Sequence, residues 1–186
     1  MDLMFAIRNR RAVREFAPQA VAREAIADAI AAATLAPSAM NLQPWLFAVV
    51  EGAERLRELS SRAKAHLTAD PHPPAPVARH RDRLADPAYN LFHDAPALVI
   101  VGARDSTGQS AEDCCLAAQN LMLRAFALQL GTCWVGLARP YLDLPDSKAA
   151  LGLPRDGAVV APLAIGHPRR QPAATSRRAP EIVWPV

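Results

Sequence analysis

The residues best suited to chemistry in this chain are arginines. "RNRRAVREF", residues 8 to 16, sets Arg8, Arg10, Arg11 and Arg14 within seven positions. A guanidinium is a rigid planar fork of donors that pairs bidentately with phosphate. Read alone, the run admits three uses: a solvated basic face, a nucleic-acid arm, or a grip on a small anion. Two further stretches carry chemistry of a softer kind. "APSAMNLQPWLF", residues 36 to 47, combines small residues, the carboxamides of Asn41 and Gln43, and Pro44-Trp45. That mixture suits a planar ligand that needs both stacking and hydrogen bonds, or it is a plain connector. "LGTCWVGLA", residues 130 to 138, carries Gly136 where a ligand could approach the backbone, or where a strand merely packs closely.

The familiar catalytic signatures are missing. There is no G-x-G-x-x-G fingerprint, no G-x-S-x-G elbow and no H-E-x-x-H pair. The five histidines, at 66, 72, 80, 93 and 167, have no metal-ligand spacing. No pair of carboxylates stands out for acid–base work. Cys114, Cys115 and Cys133 form no C-x-x-C and read as buried thiols. Such a chain offers arginine, backbone and shape, and leaves hard chemistry to a cofactor.

The elements that must position these stretches are legible from pattern. Residues 2 to 9 read as a short helix with Asp2 at its start, where a carboxylate suits the helix dipole. Residues 22 to 35 read as a second helix, with Ile26 and Ile30 on one face. Pro37 turns the chain. Residues 45 to 51, 97 to 103, 132 to 137 and 158 to 166 read as buried strands, and 53 to 66 as a helix. Residues 111 to 130 form a helix apolar nearly all round, with Gly131 as its C-terminal cap. A helix buried on every side of so small a domain hints at a covering second subunit. Residues 71 to 96 hold six prolines, which predicts a long irregular surface loop or lid.

Length and composition bound the rest. The 186 residues suit one domain, 1 to 186. A net charge of +3 argues against nucleic acid as partner. The longest apolar stretch is too polar to span a membrane. The N-terminal order of acid, apolar run and then arginines inverts a secretory signal, so the expected location is cytoplasmic.

The order and spacing of "RNRRAVREF", "APSAMNLQPWLF", the long "AEDCCLAAQNLMLRAFALQLGTCWVG" helix and "APLAIGHPRRQP" resemble the nitroreductase family of flavoproteins over nearly the whole chain. The resemblance implies an α+β fold, a three-layer α/β/α arrangement with a mixed, mostly antiparallel central sheet, and a homodimer with FMN at the subunit interface. It implies that Arg10, Arg11 and Ala12 meet phosphate and ribityl, and that Arg14 lies near flavin N1 and the C2 carbonyl. Pro37, Ser38, Ala39 and Asn41 would reach the FMN held mainly by the other subunit. Trp134, Val135 and Gly136 would line the ring, and Arg177 or Arg178 would complete the phosphate clamp. "IVW", residues 182 to 184, would extend as a strand over the partner. The implied reaction takes hydride from NAD(P)H to flavin N5 and then to a small electron-poor acceptor, a nitroaromatic, quinone or enone. Relatives that dehalogenate, cleave flavin or oxidise heterocycles define the alternative chemistry. Ala12 departs from the hydroxyl residue common at its position, and residues 71 to 96 match no family motif.

Overall fold

Ala97–Ala103 is apolar throughout, and every one of its side chains is buried. Such a strand needs cover on both faces. The computed structural model, which describes residues 2 to 185, supplies it. The strands are β1 (Trp45–Glu51), β2 (Ala97–Ala103), β3 (Gly131–Trp134) and β4 (Ala158–Gly166). They form one antiparallel sheet in the order β1-β2-β4-β3.

Alternation along β2 separates the two layers, because successive side chains of a strand point to opposite faces. Ala97, Val99, Val101 and Ala103 join the core under α2 (Arg23–Ala33) and α6 (Gly108–Ala127). Leu98 and Ile100 join the core under α3 (Ala53–Ala69), α5 (Arg81–Ala85) and α7 (Arg139–Leu142). The short helices α1 (Leu3–Asn9), α4 (Ala75–Ala78) and α8 (Pro145–Ala150) complete the set, with single 3₁₀ turns at Ala39–Asn41 and Gly136–Ala138. The α+β, three-layer expectation holds. Among the described residues the parallel component is one bridge, Ala12 to Thr132, outside the named strands.

Caps explain several boundaries. Asp2 Oδ2 accepts from the Phe5 amide, the N-cap that its position predicts. Thr107 caps α6 in the same way, so that helix starts at 108 rather than 111. It also ends early. Gln129 takes the left-handed turn at φ 62, and Gly131 opens β3 instead of capping the helix. β3 stops at Trp134, because a 3₁₀ turn takes residues 136 to 138.

The proline-rich segment departs most from expectation. It contains α4 and α5, and it buries Val77, Leu84, Leu91, Phe92 and Ala95. Its anchor comes from α3. Buried Lys64 Nζ donates to the carbonyls of Asp86 and Tyr89 at 2.8 and 2.7 Å, and Ser60 Oγ accepts from the Leu91 amide at 2.9 Å.

Some apolar surface stays uncovered. On α1, Leu3, Met4, Phe5 and Ile7 are exposed, and so is Leu116 on α6. Cys115 is exposed as well, against the expectation of a buried thiol. Residues 182 to 184 form no strand within the chain, and Val183 and Trp184 are 85% and 84% exposed.

Candidate functional site

The arginine run is held extended between two pieces of backbone. On one side Val13 N donates to Thr132 O of β3 at 2.9 Å. On the other, Ala17 N donates to His167 O at 2.8 Å and Arg169 N to Glu15 O at 2.9 Å. The close approach to β3 depends on Gly131, where an added Cβ would lie 2.6 Å from Val13 Cγ2. Val13 turns into the core, while Arg14 is exposed.

This threading brings three arginines together. Burial pushes Arg10 below the ordinary arginine value, and Arg11 and Arg177 lie close enough to repel it further. Among the described residues, none of the three is in an ion pair. Arg11 Nη1 donates to the carbonyls of Arg8 and Arg10, but its Nε is buried without a partner. Arg177 Nη1 meets only Thr175 Oγ1 and Ser176 O. A cluster of unpaired cations with an orphaned donor fits an anionic group such as phosphate.

Arg14 faces elsewhere. It lies beside Cys133, whose thiol burial raises and Arg14 lowers. The next residues, Trp134, Val135 and Gly136, share a cavity of about 130 Å³ with Arg14 and with residues of the 80-to-93 segment. A Cβ at Gly136 would meet nothing within 4 Å, so its backbone borders open space. In this cavity His93 is held down to about 4, by burial first and then by Arg14 and Arg83, with Asp94 opposing.

Pro37, Ser38, Ala39 and Asn41 lie apart from all of this. Ala39 N donates to both oxygens of buried Asp113, at 3.3 and 3.2 Å, near the start of α6. Ser38 Oγ accepts from the Gln43 amide, and Asn41 Oδ1 accepts from Gln43 Nε2. Met40, Asn41 and Gln43 all have positive φ, a strained backbone that over-determined surroundings must hold. Arg10 and Arg11 sit against Phe126 and Gln129, at the other end of the same helix. The helical rise from Asp113 to Phe126 is about 20 Å. One chain therefore brings the arginines together but keeps the Pro37–Asn41 loop far from them.

Sequence reasoning missed Asp113, Lys64, Arg83 and His93. Asp113 carried a weak signal, as the acid next to the apolar helical run, with Glu112 just before it. Lys64 carried none, because its carbonyl partners lie across a loop. Among the described residues no group of three or more His, Cys, Asp or Glu could hold a metal ion, and no helix is long and apolar enough to cross a membrane.

Comparison with known proteins bears on this arrangement. A model described as the nitroreductase family matches residues 7 to 167. The 5,6-dimethylbenzimidazole synthase of Rhodospirillum rubrum is 31% identical, over 87% of this chain and 80% of its own length. An NADH dehydrogenase of Thermus thermophilus is 28% identical, over 99% of this chain and 96% of its own. Among solved structures, a nitroreductase with bound FMN from Bacteroides fragilis superposes with a TM-score of 0.84 at 25% identity, covering 99% of this chain and all of that one.

Proposed function

The chain belongs to the nitroreductase family, and from that premise we propose that it is an FMN-dependent oxidoreductase. It takes electrons from NAD(P)H and reduces a small electron-poor acceptor such as a nitroaromatic or quinone. The observation that carries this reading is the convergence of Arg10, Arg11 and Arg177 with no ion pair among the described residues, together with the cavity beside Arg14 where Gly136 leaves open space. The first feature suits a phosphate and the second a ring. The bound FMN of the Bacteroides fragilis relative and the NADH dehydrogenase name of the Thermus thermophilus one support the same assignment.

In this reading Arg10, Arg11 and Arg177 hold the FMN phosphate, with Ala12 alongside. Arg177 is chosen over Arg178 because it alone is coupled to Arg10. Arg14 lies toward the ring, and Trp134, Val135 and Gly136 back it. When bound, FMN supplies hydride acceptance and donation at N5. The chain's own work is to bind, orient and set the charge around the ring. Pro37, Ser38, Ala39 and Asn41 serve the site of a second copy, because about 20 Å of α6 separates them from their own chain's arginines. That makes the enzyme a homodimer with shared sites. The exposed apolar side chains of α1, Leu116 and the 182-to-184 tail supply surface for such an interface.

The test is optical. Purified protein should be yellow or take up FMN, and the flavin absorbance should bleach anaerobically on adding NADH or NADPH. A protein that holds no FMN at micromolar excess would sink the reading. The 31% identity to a dimethylbenzimidazole synthase favours one alternative, a family member with different chemistry on the same cofactor. FMN that bleaches but is never re-oxidised by any nitro compound or quinone would favour that alternative.

A further inference from the structure

The cavity beside Gly136 has a second set of lining residues, from the proline-rich segment. His80 and Arg83 come from the start of α5 and its body, and Tyr89 and His93 from the turns that follow. Together with Arg14 they put two guanidiniums and two imidazoles on its wall, and no carboxylate is among the lining residues. Neither Arg14 nor Arg83 is ion-paired among the described residues. Asp94, which acts on His93, is engaged by Arg57 at 3.5 Å and accepts from Asn90.

The groups are also ordered. The Arg83 guanidinium lies 4.5 Å from the Tyr89 ring centroid, and Tyr89 meets His93 edge-on at 6.4 Å. A cation over a ring face is attracted by its quadrupole, which helps hold this arginine over the cavity. His80 contributes a second irregularity, because its Nδ1 is sealed from solvent with no hydrogen-bond partner. A buried polar atom left unpaired costs free energy until something pairs with it. The backbone at His93 and Asp94 has φ of 58° and 54°, and Lys64 and Ser60 fasten the preceding residues Asp86, Tyr89 and Leu91. The cluster is therefore built on a fastened segment.

We propose that His80, Arg83 and His93 form an anion subsite that selects planar acceptors bearing a carboxylate. The inference rests on the flavoprotein reading, in which Arg14 and the Trp134–Gly136 backbone border the flavin ring and the acceptor stacks on it. The carboxylate of an aromatic acid would then sit against Arg83 and the histidines, with its ring toward Gly136. It would pair with Arg14 and Arg83, which have no ion-pair partner among the described residues. It would also make protonation of His93 easier, since burial first and then the neighbouring cations hold that ring neutral.

The test uses the FMN-loaded protein with benzoate and benzamide, which share a ring and differ in charge. Calorimetric titration and the perturbation of flavin absorbance report binding. Benzoate should bind about tenfold or more tightly than benzamide, the equivalent of one charge-assisted hydrogen bond. Arg83→Gln should erase most of that preference while FMN content stays unchanged. Equal affinities for the two ligands, or a benzoate preference that survives both Arg83→Gln and His80→Gln, would overturn the inference and leave the flavoprotein reading intact. If Arg83→Gln shifts the reduction potential of bound FMN and leaves benzoate affinity alone, the cluster serves the flavin and the inference falls. Protein that takes up no FMN would overturn both.

Discussion

Arg177 and Arg178 are neighbours of the same type, yet they stand in different environments. Arg177 is among the charges that repel Arg10, and Arg178 is not. Arg177→Ala should weaken FMN binding by about 1.5–3 kcal/mol, the worth of a charged hydrogen bond, and Arg178→Ala by much less. Fluorescence titration of apoprotein measures both, and equal losses would refute the assignment. His93 carries a pH signature. Its folded value of about 4 lies below the ordinary 6.5, so the folded protein binds fewer protons than the unfolded chain in that interval. Stability from this group is fully present above about pH 6.5 and is lost as the pH falls toward 4. Partial exposure discounts the loss to an order of 2 kcal/mol. Urea denaturation at about pH 7 and about pH 4.5 should show a smaller drop in His93→Gln than in the parent. Neither property was legible in the sequence. Arg177 and Arg178 look alike there, and a lone histidine beside a proline-rich stretch reads as surface.

β1, β2 and β4 coincide with their expected spans, residue for residue, because short β-branched runs bounded by turns have few other ways to be buried. Helix ends shifted where the cap was a matter of one residue, as Thr107 did to α6. The proline-rich segment is not the irregular surface loop its composition predicts. Proline density reports what the backbone cannot do locally, and says nothing of a lysine on α3 that ties the segment down. Lys64→Met keeps the apolar stem but removes two charge-assisted bonds to the Asp86 and Tyr89 carbonyls. It should cost about 2 kcal/mol and speed amide exchange across residues 86 to 93, with the Asp113-held loop at 36 to 43 unaffected. Uniform exchange in both segments would show that Lys64 is not the anchor.

At the scale of the molecule, the two halves of the proposed site lie at opposite ends of α6. A shared-site homodimer makes a sharp prediction. Arg10→Glu and a loop variant, Ser38→Trp, should each lose FMN as homodimers. Mixed and reassembled, they should recover roughly one site per mixed dimer, because one of its two sites then holds neither defect. No recovery in purified mixed dimers would mean that each chain builds its own site. What the sequence determined by itself was the layer architecture, the core strands and the family, since these rest on local periodicity and on motifs contiguous in the chain. The tertiary structure alone decided that Arg10, Arg11 and Arg177 converge, that the Pro37–Asn41 loop stays remote from them, and that Arg14 and Arg83, without ion pairs among the described residues, line the cavity at Gly136. Those facts depend on where distant segments cross, and a charge is paired or unpaired only by what the fold sets beside it.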